Sequence, residues 1–207
     1  MKSIIFDFDG TIINTNDSII RTLKKVAKDK LNRKIDDETL TKMYGLTIDE
    51  QMKILDKSRY SELIDYYFDI YSYELENHTD LFDGIEKLLN DLKKEGHNLF
   101  ILTNNNTKDT TYALKKFNIF KCFDDIITMD DVTLGKPNPE GLDLLFKKND
   151  LKKDNTLLIG DSPHDIEAGI DFKIETVLVG WTIFKEKDFK VKPDYIINKP
   201  KDLFSVL

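Results

Sequence analysis

Asp7, Phe8, Asp9, Gly10 and Thr11 follow directly on the short apolar run Ile4-Ile5-Phe6. Side chains in a strand alternate with a period of two, so Asp7 and Asp9 leave the backbone on the same side. Two carboxylates at the carboxyl end of an apolar strand are costly to bury unless something positive sits with them. A hard divalent cation together with a phosphate meets that need. Gly10 lets the chain turn sharply beside the acids.

Three more clusters follow apolar runs. Thr103-Asn104 comes after residues 99–102. Gly135-Lys136-Pro137-Asn138-Pro139 comes after residues 126–129. Gly160-Asp161-Ser162-Pro163-His164-Asp165 comes after residues 157–159. Ligands of open α/β sheets bind outside the carboxyl ends of strands, so the four clusters fit one phosphate site. A carboxylate can attack phosphorus and form an aspartyl-phosphate. A second carboxyl two residues on can protonate the leaving oxygen and then deprotonate water. A hydroxyl and an ammonium hold the phosphoryl oxygens as charge builds. Magnesium suits carboxylates with water and phosphate oxygen. Pro163 fits a first helical position, which places Asp161 and Asp165 to complete a metal site facing Asp7.

Each of these residues also has a plainer use. Asp7 and Asp9 fit a turn, Thr103 a helix cap, Lys136 the surface, and Asp161 and Asp165 a cap and a helix dipole. The clusters taken together outweigh those uses. Other residues are read plainly. His164 is expected to face solvent from a helix, His78 and His97 to lie on the surface, and Cys122 to pack. Tyr66, Tyr67, Phe68, Tyr71 and Tyr73 are expected to pack helices, and Trp181 to close a loop near the active face.

The positioning elements follow from periodicity. Residues 3–6, 99–102, 126–129, 157–159 and 176–179 read as buried strands, with Tyr195–Ile197 a weaker sixth. Ile85, Leu88, Leu89 and Leu92 share one helical face, and Gly96 closes that helix after Lys93-Lys94. Residues 107–117 and 139–148 also read as helices. Strands alternating with helices imply an α/β fold, a mostly parallel Rossmann-like sheet covered on both faces. From about Asn14 to Asp80 the alternation breaks, with helical patterns at 17–31, 36–43, 48–55 and 60–75 and no convincing strand. The expected division is a core of residues 1–13 and 81–207 with a helical cap of residues 14–80.

Composition narrows the classes. The chain has 207 residues, 40% apolar and 33% charged, with a net charge of -7 and one cysteine. That balance argues against a nucleic-acid footprint, and one cysteine excludes an internal disulfide scaffold. No run approaches the ~18 apolar residues of a membrane span, and the apolar run before Asp7 is too short for a signal-peptide core. A soluble, cytoplasmic protein is expected, a monomer or weak homodimer that contacts neither membrane nor nucleic acid.

With Asp7-Phe8-Asp9-Gly10-Thr11, Thr103-Asn104, Lys136 and Gly160-Asp161 with Asp165 in that order, the chain resembles the haloacid dehalogenase superfamily of aspartate-nucleophile phosphohydrolases. The likeness runs over essentially the whole chain. Its insert resembles the helical cap of the phosphoglycolate phosphatase-like branch. The resemblance implies that Asp7 is the nucleophile and Asp9 the general acid/base. It also implies that Thr103 and Lys136 bind the phosphoryl group beside Gly10 and Asn104. Mg2+ would be held by Asp7, the Asp9 carbonyl and Asp161, with Asp165 supporting the metal or Lys136. Asp9 argues against the dehalogenases proper, which lack that second aspartate. Asn14 departs from the commonest pattern, and residues 10–16 resemble pyrophosphatase-like members. Tyr44-Gly45-Leu46-Thr47 resembles the loop that closes over the leaving group. A small phosphorylated metabolite or pyrophosphate is the implied substrate.

Three alternatives stand beside a phosphatase. A phosphomutase needs a cap that grips a sugar phosphate through a basic residue, and residues 44–52 contain none. A non-hydrolytic phosphoacceptor resembling a response-regulator receiver would be much shorter and without a cap, and nothing missing from the motifs supports a catalytically silent binding module.

Overall fold

The computed structural model describes residues 1–207. The strands are β1 (Ser3–Phe6), β2 (Ile13–Asn14), β3 (Asp80–Leu81), β4 (Asn98–Leu102), β5 (Asp125–Ile127), β6 (Thr156–Gly160), β7 (Glu175–Val179) and β8 (Tyr195–Ile197). The α-helices are α1 (Asn16–Leu31), α2 (Asp37–Met43), α3 (Ile48–Leu55), α4 (Tyr60–Asn77), α5 (Ile85–Lys94), α6 (Thr107–Lys116), α7 (Glu140–Asn149) and α8 (Pro163–Phe172). Six strands form one parallel sheet in the order β5-β4-β1-β6-β7-β8. Helices α1–α4 form an insertion after the first strand region. No helix is long and apolar enough to cross a membrane.

Strand composition explains why the sheet is buried on both sides. Ile4 and Phe6 of β1 enter one apolar cluster, while Ile5 between them enters the other. Leu99 and Ile101 against Phe100 and Leu102 repeat the alternation in β4. Helix α5 buries Ile85, Leu88, Leu89 and Leu92, the stripe that its spacing requires.

Topology then aligns the clusters. Chain order runs outward from β1 in both directions, so the winding reverses beside it. Phe6 pairs with Ile101 on one side and Ile159 on the other. The residues just past β1, β4 and β6 therefore emerge together at one edge, where the Asp7 N–H still donates to the Ile159 carbonyl at 2.8 Å.

Several expectations shift. The strand read at 126–129 is β5, which ends at Ile127, because the Thr128 side chain caps a 3-10 turn over Met129–Asp131. The insertion read as strand-free is flanked by a two-residue antiparallel ribbon, Ile13↔Leu81 and Asn14↔Asp80, too short to leave a periodicity. His97, expected on the surface, is buried, and its Nδ1 accepts from the Lys2 N–H at 3.1 Å.

Candidate active site

The carboxylate cluster lies at the carboxyl ends of β1 and β6. Asp7 Oδ1 accepts from Lys136 Nζ at 2.6 Å, and Oδ2 accepts from Thr11 Oγ1 at 3.2 Å. Lys136 Nζ also donates to Asp165 Oδ1 at 2.6 Å. Asp165 Oδ2 accepts from the Ser162 N–H at 3.0 Å and Oγ at 2.6 Å, closing the capping box of α8. Both Asp165 oxygens are thus engaged. Asp161 differs: it is buried, and its Oδ2 has no hydrogen-bond partner. Carboxylate oxygens of Asp7, Asp161 and Asp165 lie within 4.8 Å of one another.

Backbone geometry makes room for this. Gly10 has φ +82, and a Cβ there would stand 2.5 Å from Asp161 Oδ2. Only glycine gives both the left-handed turn and the clearance.

Asp9 points toward the insertion. Its Oδ1 accepts from the Tyr71 hydroxyl of α4 at 3.0 Å, and its Oδ2 from Asn105 Nδ2 at 2.9 Å. The buried Thr103 lies beside it, with Oγ1 accepting from the Asn105 N–H at 3.1 Å. Asn104 is a clasp: Nδ2 donates to the Gly45 carbonyl at 2.9 Å and the Lys136 carbonyl at 3.0 Å, and Oδ1 accepts from the Lys136 N–H at 2.7 Å.

Asp7, Asp9, Thr103, Asn104, Asn105, Lys136, Asp161 and Ser162 line a chamber of about 50 Å³ whose other wall is Ile19, Tyr44, Gly45, Leu46, Ile48, Gln51, Tyr67 and Tyr71 of the insertion. Thr47 is not in that wall. It caps α3, exchanging hydrogen bonds with Glu50, so its Thr-x-x-Glu spacing is the signature of a helix start.

The family profile described as haloacid dehalogenase-like hydrolase matches residues 4–179. The chain belongs to the haloacid dehalogenase-like hydrolase family. Among relatives of this hydrolase, Pyrophosphatase PpaX of Bacillus mycoides is 30% identical, over 100% of this chain and 97% of its own length. A haloacid dehalogenase-like family hydrolase of Streptococcus pneumoniae superposes with a TM-score of 0.84 at 22% identity, covering 100% and 98% of the two chains. The structure named "predicted phosphoglycolate phosphatase" of Haemophilus somnus has a TM-score of 0.87 at 23% identity, covering 100% and 97%. At those identities, the structures share the fold.

Burial dominates the electrostatics of the hydrolase site. Burial pushes Asp7 up to about 7 despite the pull of Lys136. Burial, with Asp7 and Asp165 adding to it, holds Asp161 well above the ordinary carboxylate range. Burial also raises Asp9, against the hydrogen bond from Asn105. Burial alone would lower Lys136, but Asp165 and Asp7 more than reverse it and keep the ammonium charged. One lysine among four acids, and one acid oxygen with no donor, fit a divalent cation bound through oxygen.

Sequence reasoning missed four contributors. Asn105 stands in the run Asn104-Asn105-Asn106, where only the middle residue turns to Asp9 while Asn106 caps α6. Tyr71 packs as expected, but it also reaches Asp9. Gln51 gave no signal beyond its place on a helix, and Ser162, inside the fourth cluster, was assigned no role although it caps α8. His164, expected to face solvent, is half-buried, its Nδ1 lacks a partner, and its Cδ2 lies 2.9 Å from where a Cβ on Gly45 would sit. Trp181 donates from Nε1 to the Thr11 carbonyl at 3.3 Å and lines a separate groove of about 840 Å³ with Phe82 and Phe204.

Proposed function

We propose that the protein is a magnesium-dependent phosphatase acting on a small phosphate monoester or pyrophosphate through an aspartyl-phosphate on Asp7. The single observation that carries the reading is the buried Asp161 Oδ2 without a donor, in one carboxylate cluster with Asp7 and Asp165. Asp7, the main-chain carbonyl of Asp9 and Asp161 would hold Mg2+, with Asp165 steadying Lys136 and the cluster. When bound, the ion neutralises charge on the phosphoryl oxygens.

The rest of the work falls to side chains. An Asp7 oxygen forms the new bond to phosphorus as the bond to the leaving oxygen breaks. Asp9 gives its proton to that leaving oxygen, then takes one from water as water attacks the aspartyl-phosphate and frees phosphate. The Thr103 hydroxyl and the third Lys136 proton hold phosphoryl oxygens, with Gly10 leaving space beside them. Asn104 supports from behind, by tying the Gly45 loop to the Lys136 loop.

Helices α1–α4 act as the cap over residues 14–80, and Gly45 and Leu46 form its roof on the leaving-group side. A chamber of about 50 Å³ exceeds one water's ~30 Å³ share of liquid but is too small for a phosphate ester, so substrate enters with the cap open. The name and full-length coverage of the PpaX relative support pyrophosphate among the substrates. Phosphate release from phosphate esters and pyrophosphate, with and without Mg2+, tests the reading. Release should need Mg2+ and vanish in Asp7→Asn, and a fully active Asp7→Asn would overturn it.

A further inference from the structure

The wall facing the phosphoryl site is strongly biased in charge and in hydrogen-bond polarity. Lys136 is the only cation among the 16 residues lining the chamber, and two of its three protons already go to Asp7 and Asp165. The insertion adds no charge to the chamber: Ile19, Leu46 and Ile48 are apolar, and Tyr44, Gln51, Tyr67 and Tyr71 are neutral.

The polar groups there already spend donors inside the protein. Tyr44 donates to Asn16 Oδ1 at 2.6 Å, and Tyr71 donates to Asp9. Gln51 donates one of its two Nε2 protons to the Leu46 carbonyl at 3.0 Å. That carbonyl can only accept, so the opposite end of the amide must be the oxygen. Gln51 is buried, and Oε1 has no donor in the protein. An unmatched buried acceptor is costly and calls for a donor from the ligand. Tyr67 adds a hydroxyl able to act either way.

Resting on the phosphatase reading, we propose that the preferred leaving group is a small neutral alcohol whose further hydroxyl donates to Gln51 Oε1, ahead of a second phosphate or a carboxylate. A phosphate or carboxylate leaving group would place more negative charge against Asp9 and apolar walls. It would also meet Gln51 Oε1 acceptor to acceptor. A polyol monophosphate offers the missing donor and leaves no second anion unpaired.

The test is kcat/KM of the full-length wild type with Mg2+ for glycerol 3-phosphate, phenyl phosphate, phosphoglycolate and pyrophosphate. Glycerol 3-phosphate should exceed phosphoglycolate and pyrophosphate by about tenfold or more. In Gln51→Leu, the ratio of kcat/KM for glycerol 3-phosphate over phenyl phosphate should fall about five- to tenfold, the worth of one neutral hydrogen bond. That ratio does not depend on how much of the variant folds. Phosphate release with pyrophosphate or phosphoglycolate preferred, or an unchanged ratio in Gln51→Leu, would overturn the alcohol proposal alone. No release from any of the four would overturn the phosphatase reading itself, and the proposal with it.

Discussion

The Tyr71 hydroxyl, carried by α4 of the insertion, donates to Asp9 Oδ1 of the core at 3.0 Å. Asn105 holds the other oxygen at 2.9 Å and also reaches the Tyr71 hydroxyl at 3.4 Å. The carboxyl proposed as acid and base is therefore oriented from both sides, one of which moves with the cap. Tyr71→Phe removes the hydroxyl and keeps the ring that stacks on Tyr67 at 5.5 Å. Poor leaving groups need the proton that Asp9 supplies, and good ones do not. The ratio of kcat for an alkyl phosphate over 2,4-dinitrophenyl phosphate should fall about tenfold or more in Tyr71→Phe. Equal losses on both would assign Tyr71 to packing.

Lys136 is the sole cation between Asp7 and Asp165, and all three are buried. Removing one partner of a buried ion pair leaves charge uncompensated. Lys136→Met should lower unfolding stability at pH 7 by about 3–5 kcal/mol in urea titration. Adding Asp165→Asn should recover part of that loss, because one unpaired charge disappears with it. A loss no larger in the single variant than in the double would contradict the pairing.

The acids of the site give a pH dependence of definite sign. The native Asp7 pKa of about 7 lies above its ordinary 3.8, so the native state binds more protons between those values. Stability from this group is full below about pH 4 and is lost as pH rises through 7. Asp161 and Asp9 shift in the same direction. Acids such as Asp36 and Asp125 are lowered instead, and the stability they contribute is lost only as pH falls below about 4. The metal-free protein should therefore have a higher Tm at pH 5 than at pH 7.5. Added Mg2+ should raise Tm more at pH 7.5 than at pH 5, where protons compete for the same oxygens. Thermal scans with and without chelator measure both.

Strand positions were legible because apolar runs of three or four residues, buried on both faces in the central strands, leave little other reading. The meeting of Asp7, Thr103 and Asp161 was legible for a related reason: each follows such a run, and parallel topology brings run ends to one edge, whereas Lys136 reaches Asp7 from a loop well past the end of β5 at Ile127. What eluded the sequence depends on how α3 and α4 sit over that edge. Gln51 and Tyr71 look like ordinary helix residues until the insertion folds down over β1. The β2–β3 ribbon is two residues wide and has no period to detect. Thr47 shows the opposite problem, a local pattern that was visible but served a helix cap and not the chamber.

Gly10 offers the sharpest check on the cluster, because it acts through shape alone. At φ +82 an alanine is strained, and its Cβ would stand 2.5 Å from Asp161 Oδ2. Asp161 is buried with that oxygen unpartnered, so it has to swing away or the turn has to open. Gly10→Ala should cost about 1–3 kcal/mol of stability from backbone strain. Its larger effect should fall on cation binding, since an oxygen proposed to hold the ion is displaced. Titration calorimetry should show Mg2+ affinity reduced at least about tenfold, the loss expected when support for a metal ligand is disturbed. Gly96, also at positive φ (+85) but with Met1 no nearer than 3.5 Å to its added Cβ, is the matched control. Gly96→Ala should show the strain cost without the change in affinity. Equal Mg2+ affinities in the two variants would separate Asp161 from the metal site.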